Sequence, residues 1–335
     1  MRGSTRFPVA AVVLALTVSA FPVTEESPDP DPEPPSAGIV FGTSVSAGPN
    51  ETTEESVLKT EAKLGRKLAA VRVYEKWDSP FPSRSHTWLR DTDHAMYLSV
   101  KAQRRNGTMI PWRNIAAAQP GDQLYSEMQS WGRRFRDFGD TIYFVFNHEP
   151  EAEASRALGT STDFKDAWRK VHEVFDSVGA TNVEYVWVMT SWAFRTSKSD
   201  PRFAKKWYPG SAYVDEIGAD PYNWFDCRDT SYPWRSAEFA LESIRQFGLK
   251  HPHKDLMLAE YGTVEDRSDP GRKADWIRDM SELMKQPEWG QFKTLLYYHS
   301  VGQNEPDCVW KFDTSQAAAN ALAEMGSDPH YRLAA

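Results

Sequence analysis

From Gly38 onward, eight short apolar runs alternate with longer segments of helical period, and this rhythm constrains the fold more than any other feature of the chain. The runs cover 39–43, 69–74, 95–101, 141–147, 183–189, 216–219, 256–259 and 294–298. Helical patterns fill 51–67, 122–138, 164–178, 237–247 and 273–285, and 317–325 closes the series. In the first helix Val57, Leu58, Ala62 and Leu64 form a stripe beneath acidic first-turn residues. In 237–247, Leu241, Ile244 and Phe247 recur at spacings of three, and Gly248 stops the helix. Eight strands alternating with helices predict a single α/β domain over 39–335, a (β/α)8 TIM barrel of about 250 residues with extensions. No internal repeat is visible beyond this rhythm.

Side chains at the C-terminal ends of barrel strands converge on one mouth, where barrel enzymes do their chemistry. Polar and aromatic residues accumulate at those ends: Trp77 after strand two, Trp112 after strand three, Trp192 after strand five, Asp220, Tyr222 and Trp224 after strand six, and His299 after strand eight. Strand four is apolar from Ile142 to Phe146 and then switches to Asn147, His148 and Glu149. Strand seven repeats the arrangement, Leu256 to Ala259 running into Glu260. Alone, each glutamate reads as a surface acid at a strand end. Together, on strands that lie across the barrel from one another, they meet the requirement of glycoside cleavage: one carboxyl protonates the leaving oxygen, and the other attacks the anomeric carbon or activates water.

The stretch 140–149 with its His148-Glu149 pair, 257–262 with Glu260, and Trp112-Arg113-Asn114-Ile115-Ala116 followed by Gly121-Asp122 resemble glycoside hydrolase family 26 over most of 39–325. The resemblance implies a retaining barrel hydrolase with Glu149 as general acid/base and Glu260 as nucleophile. It also implies that Tyr222 holds the nucleophile and that His148 bonds near the reacting sugar or tunes an acid. Trp77, Trp112, Trp192 and Trp224 are candidates to stack on sugar rings, about two of the four being expected to do so. His299 joins them as a candidate substrate contact. Trp187, inside strand five, reads as core, and Asp220 reads as another mouth acid or a loop cap, the cap being favoured. Many mannanases of the family carry an arginine four residues before the acid/base and aromatics soon after it; Val145 and Glu151-Ala152-Glu153-Ala154 stand there instead. β-Mannan is the first expectation for the polysaccharide substrate, with β-glucan and xylan behind it.

Arg2 and Arg6, an apolar run over 7–16 and Val18-Ser19-Ala20 read as a signal peptide over 1–20, the run being too short to span a bilayer. Alternating proline and acid over 21–38 read as a disordered linker. A secreted, extracellular protein without a membrane anchor is expected. In that setting Cys227 and Cys308 are expected to form a disulfide; with no histidine at ligand spacing they make no zinc site. Of the net charge of −8, Arg2 and Arg6 contribute +2 and the five acids between 25 and 33 contribute −5, which leaves −5 beyond residue 38. That balance offers no basic stripe for nucleic acid. No cofactor is expected, and a monomer is. Two other readings stay open: a carbohydrate-binding barrel that has lost turnover, and a metal-dependent hydrolase using His148, Glu149, Asp220 and His299.

Overall fold

The computed structural model describes residues 38–331 apart from 46, 48, 49, 229–231, 303 and 304. The expected signal peptide and all but the last residue of the expected linker lie outside the described residues.

Eight parallel strands form the wall of a closed barrel: β1 (Val40–Val45), β2 (Ala70–Lys76), β3 (Ala95–Lys101), β4 (Ile142–Phe146), β5 (Val183–Thr190), β6 (Glu216–Asp220), β7 (Asp255–Thr263) and β8 (Phe292–His299). Each pairs with the next, and β8 returns to β1. The anticipated (β/α)8 fold is therefore the observed one. The principal outer helices are α1 (Thr53–Leu64), α2 (Arg84–Asp91), α3 (Trp112–Ala117), α4 (Gln123–Phe138), α5 (Ser161–Ser177), α6 (Ser191–Arg195), α7 (Ala237–Gly248), α8 (Arg272–Met284) and α9 (Gln316–Ser327). The short α2, α3 and α6 were not foreseen, because five to eight residues carry too little periodicity to register.

Local chemistry sets the helix ends. Thr52 and Glu55 exchange hydrogen bonds in a capping box at the start of α1, and Gly65 closes that helix at φ 69°. The strand alternation then separates two apolar layers. Outward residues such as Phe144, Trp187, Ile217 and Leu256 join the helices in the main core. Inward residues Ala70, Val145, Val186, Val188, Met257, Ala259 and Leu296 fill the barrel. Gly218 belongs to the inner layer, where an added Cβ would lie 2.8 Å from Val188 Cγ2 and 3.1 Å from Met257 Cγ.

At the N-terminal end of the strands the inner layer turns polar. Tyr97 stacks on Tyr143 with centroids 4.4 Å apart, and Tyr97 Oη donates to Glu216 Oε2 at 3.3 Å. Burial, reinforced by Asp255 and opposed by bonds from Thr294 and Tyr97, pushes the Glu216 carboxyl up to about 8. The folded chain thus keeps a proton that the unfolded chain releases above about 4.5. Stability falls as pH rises through that window, by at most about 1.4 kcal/mol per pH unit from this group. Glu216→Gln is expected to flatten the decline, so that Tm drops less between pH 5 and pH 8 than in the parent; equal slopes would contradict the assignment.

Candidate active site

Strand direction delivers the mouth residues. Arg72 and Tyr74 occupy alternate, inward positions of β2, and Ser99 is inward on β3. Glu260 lies within β7, which continues to Thr263 rather than stopping before the acid. The register with β8 is interrupted between Leu258 and Tyr261, so Glu260 stands at an irregularity of the ladder, and the residue is 8% exposed. Three groups, two from β2 and one from a short extension after β6, converge on it. Tyr74 Oη donates to Oε1 at 2.6 Å, Tyr222 Oη donates to Oε2 at 2.5 Å, and Arg72 Nη1 lies 3.1 Å from Oε1.

Glu149 is positioned by an unusual turn rather than by a strand. Asn147 and Glu149 both have φ of 48°, a left-handed conformation that costs roughly 1–2 kcal/mol for a residue with a Cβ. The turn is held by its hydrogen bonds. Ala102 N donates to Asn147 Oδ1 at 3.1 Å, and Glu149 N donates to Val188 O at 3.0 Å. Thus His148 and Glu149 project where a regular strand would not place them.

Asp220 connects the two glutamates. The expectation of a loop cap is overturned: its side chain is fully buried, with Oδ1 3.4 Å from Arg72 Nη1. Oδ2 has no hydrogen-bond partner, and burial raises this carboxyl, the neighbouring Glu260 and Glu149 adding to the effect. Arg72 is fully buried, with Nε donating to Ser99 Oγ at 3.1 Å and Nη1 to Ala259 O at 2.9 Å, while Nη2 has no partner. Burial works against its charge, but Tyr74, Asp220 and Glu260 outweigh that and raise its pKa.

The carboxylates therefore occupy opposite environments. Burial, then Glu260 and Glu151, push Glu149 up to about 8 against the opposing effects of Arg72 and Asp220. Glu260 is instead surrounded by donors. Burial raises Asp220 well above the usual carboxylate range, and it keeps Tyr74 and Tyr222 protonated, hence donors. Glu151 accepts from Thr190 N at 2.8 Å and Thr190 Oγ1 at 2.6 Å, and burial pushes it to about 7. His148 packs edge-on against Tyr74 at 5.5 Å; burial, then Arg72, Lys101 and Lys76, hold it neutral.

The aromatic expectations divide. Trp224 and Trp192 are half-buried at the mouth, Trp224 meeting Tyr222 and Trp310 edge-on and Trp192 carrying the Arg202 guanidinium 4.1 Å from its ring centre. Trp112 and Trp77 are corrected to core. Trp112 is wholly buried, edge-on to Phe164 and Trp207, and Trp77 is 3% exposed with Nε1 bonded to Glu127. Neither leaves a ring face for a sugar. His299 is also corrected. Strand alternation turns it outward onto Phe312 at 4.3 Å, beside Asp313, and brings Tyr298 to the Glu260 side instead. Trp187 is core, as expected. With His299 turned away, the four ligands of the metal-hydrolase reading do not converge, and the described residues contain no group of three or more His, Cys, Asp or Glu suited to a metal.

Cys227 and Cys308 form a disulfide across a separation of 81 residues and pack with Val264 and Trp310. It ties the loop after β6 to the segment after β8, around the end of β7. Among the described residues no helix is long and apolar enough to cross a membrane.

A (β/α)8 barrel with two glutamates set against a shared arginine and aspartate at its mouth defines the class as barrel glycoside hydrolases. The sequence profile of glycosyl hydrolase family 26 matches residues 134–235, a stretch that includes Glu149 and Tyr222 and ends before Glu260. Over that stretch the chain is similar to the family its motifs resemble. Endoglucanase H of Acetivibrio thermocellus is 22% identical over 303 residues, covering 86% of this chain. The matched part is 30% of that relative's own length. In fold the chain is similar to the catalytic domain of a family 26 endo-β-1,4-mannanase from Bacillus sp. JAMB-750, with a TM-score of 0.61, 16% identity, and coverage of 88% of this chain and 87% of that one. It is likewise similar to a family 26 β-mannanase from Bacteroides ovatus, with a TM-score of 0.60, 16% identity, and coverage of 89% and 91%.

Proposed function

We propose that this is a secreted, retaining glycoside hydrolase that cleaves β-linked polysaccharide, β-mannan first, with Glu149 as acid/base and Glu260 as nucleophile. The observation that carries this reading is the opposite setting of the two acids: one buried and proton-holding, the other met by three donors. In the first step a Glu260 oxygen attacks the anomeric carbon while the Glu149 proton passes to the leaving oxygen, giving a glycosyl ester on Glu260. In the second, Glu149 takes a proton from water, which attacks the same carbon and releases Glu260. Tyr74, Tyr222 and Arg72 orient Glu260, and Glu151 helps to keep Glu149 protonated. Trp192 and Trp224 supply stacking faces, and His148 a neutral bonding group. Export is supported by the N-terminal pattern and by the disulfide, which suits an oxidising compartment.

Reducing-sugar release from mannan, lichenan and xylan tests the reaction and ranks the substrates; retention on a polymer without release would favour a binding barrel. The acid role also sets a pH dependence. Glu149 must be protonated in the free protein, so kcat/KM is expected to fall as pH rises through about 8. Because Glu151 raises Glu149, Glu151→Gln is expected to move this alkaline limb to lower pH. A limb that stays in place would contradict the coupling.

A further inference from the structure

Beyond Arg72 and Tyr74 the inward row of β2 continues to Lys76, and beyond Ser99 that of β3 continues to Lys101. The register pairs Lys76 directly with Lys101. Two like charges opposite one another on adjacent strands repel, so the pair costs stability unless something compensates it. Among the described residues no acid pairs with either lysine. Lys76 Nζ donates to the neutral Gln103 Oε1 at 2.5 Å, and the Lys101 side chain has no hydrogen bond or ion pair among the described residues. Nearby acids are committed elsewhere: Glu75 to His86, Glu127 to Arg104, and Asp78 to Arg105 N. Both lysines are half-buried and act on His148, the neighbour of Glu149. One wall of the mouth is thus cationic and uncompensated, in a folded part whose net charge is negative.

We propose that Lys76 and Lys101 form a subsite for an anionic group on the glycan, a uronate carboxylate or a sulfate ester, on the sugar that lies against β2 and β3 beside His148. The inference rests on the hydrolase reading for the position of the glycan and narrows its substrate to acidic polysaccharide or an acidic branch. An anion between the two ammonium groups accepts charge-assisted hydrogen bonds from both and removes their mutual repulsion. Nonspecific attraction does not produce the same effect, since the protein as a whole repels anions.

Affinity electrophoresis through mannan and lichenan, each neutral, C6-oxidised to carboxylate, or O-sulfated, tests the proposal. At least one anionic form is expected to retain the protein about tenfold more strongly than its neutral parent, a difference of about 1.4 kcal/mol. That ratio is expected to fall to about one in Lys76→Met/Lys101→Met and to persist in Lys205→Met/Lys250→Met, which removes two exposed cations beside His251. The carboxylated and sulfated gels distinguish the two sources of charge. Equal migration in every form, or a ratio that survives loss of Lys76 and Lys101, overturns the proposal. Retention needs no turnover, so failure to release sugar from any polymer would sink the hydrolase reading alone.

Discussion

Glu260→Ala is expected to lower kcat/KM by on the order of 10⁴-fold or more on every substrate, whatever its leaving group, because the covalent route is lost with the attacking oxygen. Glu149→Ala is expected to lose about 10²- to 10⁴-fold on a polysaccharide and far less on an aryl glycoside whose leaving group needs no proton. Azide separates the two roles. In Glu149→Ala it replaces water in the second step and yields a glycosyl azide of the substrate's configuration. In Glu260→Ala it replaces the carboxylate in the first step and yields the opposite anomer. The asymmetry follows from the site: Glu260 is immobilised by Tyr74, Tyr222 and Arg72, whereas Glu149 is held by its strained turn. Exchanged azide products would reverse the assignment.

Arg72→Met is expected to destabilise the fold by roughly 3–5 kcal/mol, the cost of removing one partner from a buried charge cluster. Asp220 and Glu260 would then face each other and Glu149 without a compensating cation. Carboxyl groups so placed hold protons more tightly folded than unfolded. The sign follows: the deficit grows as pH rises, and chemical denaturation should show it larger at pH 8 than at pH 5. Arg72→Lys restores a charge without the planar fork, and cannot reach Ser99, Ala259, Asp220 and Glu260 together, so only partial recovery is expected. A methionine variant as stable as the parent would show that the guanidinium does not organise the site.

The barrel was legible in the sequence because its strands are apolar on both faces and its long helices are amphipathic, so the alternation survives averaging over residues. Glu149 and Glu260 were legible because each interrupts an apolar run. The departures arise where facing, not position along the chain, decides the outcome. His299 and Tyr298 are adjacent in sequence, yet the period of two sends only Tyr298 toward Glu260. Trp77 and Trp112 follow strand ends as Trp192 and Trp224 do, but their loops fold back onto the barrel. Arg72 has its own mark in the sequence: a cation between Val71 and Val73 in a buried strand must have a charged partner. Ser99, which accepts from Arg72 Nε, pairs with Val145 in register, so the β2 arginine already supplies cationic charge to this part of the barrel.

The central claim is a covalent glycosyl ester on Glu260. Incubation with a 2-deoxy-2-fluoro β-glycoside of the preferred sugar, followed by tryptic digestion and tandem mass spectrometry, tests it directly. The expected result is a fluoroglycosyl mass increment on the peptide spanning residues 255–267, localised to Glu260. An increment on Glu149, Asp220 or any other residue, or turnover that releases the inverted sugar and leaves the protein unmodified, would contradict it.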